Sequence, residues 1–183
     1  MARTGAAPVA VEFLCHHRDR PGSMPLRQRL LEEHWSYMDR FELIARGPTF
    51  SGGVLTGSVH VVDVPSAAAA RAFAFDEPCY QAGAYRDVLL RRWRNVLGRT
   101  MWDFPGGREG GGHLVLGFGE GEPADLVPRR VDELVAYGPL LSDDGVAWLG
   151  TAALVRSDDP GGVLTAGRYD AVEVYEWEFG GRR

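Results

Sequence analysis

His34 is the residue in this sequence best placed to move a proton. Leu30, His34, Tyr37 and Phe41 recur at i, i+4, i+7 and i+11, which puts them on one face of a helix. An imidazole titrates near neutral pH, so it can take a proton and return it within one turnover. The same position also suits a core histidine bonded to a backbone carbonyl, because buried polar groups are as a rule satisfied. Two carboxylates, Asp76 and Glu77, follow an alanine-rich run. At a helix C-terminus they face the negative end of the helix dipole, an unfavourable place that asks for a functional reason. As solvated loop acids they ask for none. His16 and His17 close an apolar run, and either could join His34 and Glu77 around a divalent metal. No HxH or HExxH spacing accompanies them, so no metal is assigned. Arg18, Arg20 and Arg27 could grip a carboxylate or phenolate through paired N–H groups, or simply form a solvated face. Tyr37, Tyr80, Tyr85 and Trp35 read as core or as cleft walls.

The elements that must position these residues follow in order. Val9–His16 reads as a strand, rich in β-branched and aromatic residues. Ser23 is a candidate N-cap, with Pro25 in the first turn of a helix running to about Phe41. Gly47-Pro48 closes that unit. Val54–Val64 is a strand region with a bulge expected at Gly57. Pro65-Ser66 caps a second helix, Ala67–Phe75, which Pro78 stops. Asp87–Trp93 is the fourth strand. With residues 48–64 as a hairpin, the order is the β-α-β-β-α-β of a ferredoxin-like unit.

The pattern then restarts. A glycine-rich linker over 103–112 leads to a strand at His113–Phe118, a short helix at Leu126–Tyr137 and a strand at Val146–Val155. Glu133–Pro139 repeats Glu42–Pro48 almost position for position, Gly150-Thr151 repeats Gly57-Ser58, and Tyr169–Trp177 repeats Tyr85–Trp93. Asp159-Pro160 and Ala166-Gly167 echo Glu77-Pro78 and Ala82-Gly83. The second helix is missing from this copy, and Asp125 falls where His34 should recur. The expected organisation is a complete unit over 1–102, the linker, and a degenerate unit over 113–183. A four-stranded sheet with helices on one face leaves its other face bare. The expected fold is therefore α+β, with two ferredoxin-like units packed sheet to sheet as one cooperative body.

Composition removes several functions. The chain has no lysine, so a lysine Schiff base and a phosphate-loop lysine are both excluded. Residues 1–100 carry a net charge of +3 and residues 101–183 one of −8. An acidic chain without a basic stripe argues against nucleic acid as partner. No apolar run reaches bilayer length, so no membrane partner is expected. Met1–Ala7 lacks the long apolar segment of a secretory signal, which makes the cytoplasm the expected location. Cys15 and Cys79 form no CxxC pair and are expected as free thiols. Gly117-Phe118-Gly119-Glu120-Gly121 follows a strand, but a charged break precedes the next helix, so no nucleotide site is read there.

The first copy resembles the YciI-related (YCII) family. The resemblance rests on Asp19-Arg20-Pro21-Gly22-Ser23, Arg27, His34 with Tyr37, Gly47-Pro48, Gly57-Ser58, Ala72-Phe73, Glu77-Pro78, Ala82-Gly83 and Arg92-Trp93, and covers most of residues 9–95. It implies a dimeric α+β barrel, here built within one chain, so that the protein is a pseudo-dimeric monomer or a further homodimer. It also implies a proton-transfer pair of histidine and aspartate acting on a small, often aromatic or cyclic molecule, with no metal or organic cofactor. The histidine matches His34. The aspartate before proline falls on Glu77, one methylene longer, with Asp76 just ahead.

The expected function is a cofactor-independent isomerase, cyclase or lyase on a small molecule. His34, Glu77 and Asp76 are the candidate catalytic residues. His16, Arg18, Arg27, Tyr37, Ser58 and Tyr85 are the candidate substrate contacts. The alternative is a barrel that binds a metabolite or assembles without changing it. Only the first copy is expected to carry a competent site.

Overall fold

Alternation along the first strand sorts its side chains onto two faces, and much of the fold follows from where those faces go. In the computed structural model, which describes residues 9–181, β1 spans Val11–Asp19. Leu14 enters one apolar cluster while Phe13 and Cys15 enter another. The run Met1–Ala7 lies outside the described residues. After β1 come α1 (Met24–Arg29), α2 (Leu31–Met38), β2 (Glu42–Ser51), β3 (Val54–Val64), α3 (Ala67–Phe75), α4 (Pro78–Gln81) and β4 (Tyr85–Trp93). The second half holds β5 (Gly112–Phe118), β6 (Leu134–Leu141), β7 (Trp148–Val155) and β8 (Ala171–Trp177).

The eight strands are antiparallel to their neighbours and close into a barrel in the order β1-β3-β2-β8-β5-β7-β6-β4. Two short seams close it. β2 meets β8 at Thr49–Trp177 and Phe50–Glu176, and β4 meets β6 at Arg92–Leu141 and Trp93–Leu140. The first half runs β4-β1-β3-β2 and the second β8-β5-β7-β6, which is the same order counted from β5. Leu14, Val59, Leu89, Leu116 and Leu154, with Trp93 and Trp177, form a core drawn from both halves. On the other face of the first half, α2 and α3 bury Tyr37, Met38, Ala70 and Phe73 against Phe13, Cys15, Val62 and Val64. In the second half that outer layer is made by Val163, Leu164 and Tyr169 on Val115, Tyr137 and Val155.

The glycine positions matched between the halves share one physical cause. A Cβ on Gly57 would lie 2.1 Å from the His17 carbonyl oxygen, and one on Gly150 would lie 2.0 Å from that of Gly117. A Cβ on Gly47 would lie 1.9 Å from the Glu178 oxygen, and one on Gly138 would lie 1.8 Å from that of Arg94. Each glycine thus allows two backbones to approach where no side chain fits.

Four local expectations change. The helix to Phe41 is two helices broken at Leu30, which closes α1 and opens α2. Gly47-Pro48 lies inside β2, with the Pro48 carbonyl accepting from Glu178 N–H at 3.3 Å. The bulge falls on Thr56, skipped between the pairs Thr49–Gly57 and Phe50–Leu55. Leu126–Tyr137 is not a helix. It holds a single 3-10 turn at Val131–Glu133, after which β6 begins. Its apolar run does not by itself choose between helix and strand, and pairing with β7 decides the matter. The second half therefore lacks counterparts of both helical segments. Residues 105–111 are exposed, Cys15 and Cys79 are free and buried, and no helix among the described residues is long and apolar enough to cross a membrane.

Candidate active site

Glu77 is fully buried, and its position comes from a helix start rather than a helix end. Pro78 opens α4, and Glu77 is its N-cap, accepting from Tyr80 N–H on Oε2 at 2.8 Å. The expected clash with a helix dipole therefore falls to Asp76, which caps the C-terminus of α3 and is exposed. Glu77 Oε1 is left to meet His34, whose Nδ1 lies 2.7 Å away. His34 arrives from α2, where it shares the buried face with Tyr37 and Met38. Burial pushes the Glu77 carboxyl up, but the hydrogen bond and charge of His34, the Cys79 backbone N–H and His17 outweigh it, so the net shift is downward. Glu77 is thus a carboxylate that can only accept, and the His34 proton sits on Nδ1. The lone pair is left on Nε2.

The His34 ring lines a pocket between α1–α2 and β2–β3, of about 580 Å³ measured out through its mouth. Arg27, Leu31 and Trp35 come from the helices, Arg46, Gly47 and Pro48 from β2, and Ser58 and His60 from β3. The remaining wall is Phe179-Gly180-Gly181, from the end of the second half. That wall is tied down by Arg46, whose Nε donates to the Gly180 carbonyl at 3.2 Å and whose carbonyl accepts from Gly180 N–H at 3.3 Å.

Arg27 and Ser58 also belong to the pocket. Arg27 donates to both oxygens of Asp19, at 3.1 and 3.0 Å, and to Ser58 Oγ, and lies over the Tyr85 ring with its guanidinium carbon 5.6 Å from the ring centre. The other sequence candidates lie elsewhere. His16 and Arg18 alternate with His17 and Asp19, so they project from the opposite face of β1. There His16 Nε2 meets Thr49 Oγ1 at 3.2 Å, and Arg18 pairs with Asp87 at 2.5 Å. Tyr37 donates to the Phe73 carbonyl at 3.1 Å within the helix-side core. Tyr85 is buried behind Arg27, stacked on His17 with ring centres 4.5 Å apart.

Two histidines the sequence analysis did not assign to the site flank the pair. His17 donates Nε2–H to the Ala74 carbonyl at 2.7 Å and is satisfied. His60 lies 5.4 Å from His34, ring centre to ring centre. Burial, with the neighbouring His34 adding to it, holds the His60 ring well below the usual imidazole range. Period-two alternation was the available signal: His60 shares a face with Ser58, and His17 with Asp19.

His34, Glu77 and Cys79 offer donor atoms within 4.8 Å of one another, the one such group among the described residues. Both Glu77 oxygens already hold hydrogen bonds, and burial pushes the Cys79 thiol up to about 12. A metal ion would have to replace the His34–Glu77 bond.

Burial also sets an acid limit. His16, His17 and His60 are each held below their ordinary 6.5, His16 to about 3, burial being the largest cause for all three. The unfolded chain gains protons on these residues as pH falls through about 6.5, and the fold does not. Stability should therefore decline below about 6.5. Glu77, held below 4.5, adds stability that is present above 4.5 and lost as pH falls through its folded value. Melting temperature should drop between about pH 7 and 5; a flat profile would contradict this account of the buried imidazoles.

Residues 11–94 match the family model of the YCII-related domain. No curated protein matches the chain. Among solved structures, the chain is similar to 5-chloro-2-hydroxyhydroquinone dehydrochlorinase from Burkholderia phenoliruptrix AC1100, determined in complex with 2,5-dihydroxybenzoquinone. The identity is 25%, covering 48% of this chain and 98% of that one, with a TM-score of 0.45. It is also similar to an anthrone oxidase-like protein at 12% identity, covering 96% of this chain and 93% of that one, with a TM-score of 0.47. The motifs around His34 and Glu77 and the matched span together identify residues 11–94 of this chain as a YCII-related domain.

Proposed function

We propose that this protein is an enzyme that moves a proton on a small molecule held beside His34, without a cofactor. One observation carries the reading: a fully buried carboxylate lies 2.7 Å from Nδ1 of a histidine whose ring lines an open pocket. Glu77 fixes the tautomer, so Nε2 is the base. The imidazolium formed when Nε2 takes a proton is stabilised by Glu77 and can return that proton at another atom. Isomerisation, cyclisation and elimination all fit this cycle. Glu77 takes the place of the family aspartate, and the start of α4 brings its longer side chain to His34. Leu31, Trp35, Pro48 and Phe179 supply apolar walls, and the Arg27 and Arg46 guanidinium groups, paired with Asp19 and Asp39, bring N–H donors suited to an oxygen-rich substrate.

The repeated strand order and the paired glycine crossings support a duplicated chain whose second copy has become a wall of the first copy's site. In that copy the space is closed by hydrogen bonds. Asp125 accepts from Thr165 N–H at 2.9 Å, Thr165 Oγ1 at 2.7 Å and Tyr169 Oη at 2.7 Å, while Tyr169 Oη meets Thr151 Oγ1 at 2.8 Å. Asp125→Ala should cost about 2 kcal/mol of stability through the orphaned donors and leave catalysis intact. A denaturation curve and an activity assay on one preparation check both halves of that expectation. Loss of activity at unchanged stability would show a second working site. Asp159→Ala, at the exposed residue that precedes the 3-10 turn Pro160–Val163 and makes no side-chain cap bond to it, should change neither.

A crystal soaked with small cyclic ketones and phenols tests the site. Density with an oxygen or an acidic carbon next to His34 Nε2 supports the proposal; ligands bound only away from this pocket oppose it.

A further inference from the structure

His60 lines the same pocket as His34 and has no part in the His34–Glu77 pair. Its ring is 2% exposed, and its Nδ1 is buried with no hydrogen-bond partner among the described residues. The neighbouring imidazoles are engaged, His17 by the Ala74 carbonyl and His34 by Glu77. A neutral imidazole carries one N–H and one lone pair. A buried N–H without an acceptor is the rarer orphan, so Nδ1 keeps the lone pair and the proton sits on Nε2. The ring stays neutral because burial opposes its charge, with His34, His17, Arg46 and Arg27 adding to the effect.

We propose that His60 is a second catalytic residue, donating Nε2–H to the substrate oxygen on which negative charge builds as His34 takes a proton from the adjacent carbon. This rests on His34 being the base, and it narrows the substrate to a carbonyl compound with a hydrogen on the neighbouring carbon. His34 Nε2 accepts that proton. The C–H electron pair becomes a carbon–carbon π bond, and the carbonyl π pair moves onto oxygen. Where a further carbon–carbon double bond is conjugated with the enolate, return of the proton from His34 to the far carbon of that system gives an isomer. Expulsion of a group from the next carbon, with its bonding pair, gives elimination. Neither route needs an oxidant or a reductant. A neutral imidazole suits the task, because its weakly acidic N–H can share a proton with an enolate without surrendering it.

Two probes test this on the full chain. 2-Naphthol stands in for the enol of 2-tetralone, and the exchange of 2-tetralone α-protons with D2O reports proton abstraction. His60→Phe should bind 2-naphthol at least about tenfold more weakly and slow exchange by roughly 10²–10³-fold, as expected for loss of one oxyanion donor. His60→Gln, which keeps an N–H, should recover part of both. His34→Gln should bind 2-naphthol as the wild type does and lose exchange. If His60→Phe does not fold, His60→Leu takes its place, with a melting curve run beside each variant. Binding of 2-naphthol by the folded apolar variant as tightly as by the wild type overturns the role of His60. Wild-type exchange in His34→Gln instead removes His34 as the base, and the naphthol measurement still decides on His60.

Discussion

Replacing His34 with glutamine should slow proton transfer by about a hundredfold or more, within the range for general acid–base groups, and leave the fold in place. Glutamine keeps an amide N–H that can reach Glu77, so the buried carboxylate retains a donor, but an amide cannot accept and return a proton. His34→Ala is a harsher change than the helix pattern alone suggests. Glu77 is fully buried, and without His34 it keeps only backbone N–H groups at the start of α4, those of Cys79 and Tyr80. Alanine should therefore cost about 1–3 kcal/mol as well as activity. Proton exchange on 2-tetralone and a denaturation curve on both variants separate the effects. A destabilised His34→Ala protein with full activity would remove His34 from the mechanism.

Glu77→Gln should have the second largest effect. The amide can accept from Nδ1–H or donate to Nδ1, so the tautomer is no longer fixed. Where it donates, the proton moves to Nε2 and the base is lost. The analogous loss of a tautomer-fixing carboxylate costs up to about 10⁴ in rate. Stability should change by about 1 kcal/mol, since an amide oxygen can still cap α4. Glu77→Ala should slow the reaction comparably and destabilise further, by about 2 to 3 kcal/mol, because the cap and the His34 acceptor vanish together. Matched kinetics and denaturation on the two variants check this. Unchanged turnover in Glu77→Gln would mean that the carboxylate serves only the fold.

The first half was largely legible because its signals are local. The i, i+4 stripe through His34, the Ser66 cap and the β-branched strands each decide their own element. The site was half legible. The helix stripe and the acid-proline step point to the two side chains that meet, His34 and Glu77, whereas period-two alternation along β1 and β3 is needed to see that His17 and His60, and not His16, lie on the helix-side face. Asp76 could not be told from Glu77 because the choice rests on α4, a four-residue helix that Pro78 opens. Leu126–Tyr137 misled because its apolar run suits either a helix or a doubly buried strand, and only pairing with β7 settles it. The wall at Phe179-Gly180-Gly181 lies about 130 residues from Arg46, which anchors it, and no local pattern carries that contact.

Proton abstraction by His34 depends on which of its nitrogens holds the proton, and a nitrogen–proton long-range NMR correlation of the histidine rings reads this without any substrate. Neutral His34 should show its proton on Nδ1, strongly deshielded by Glu77, with a bare Nε2, and Glu77→Gln should blur that state into a tautomer mixture. A neutral His34 with its proton on Nε2 in the wild type would leave no base facing the pocket and would contradict the account.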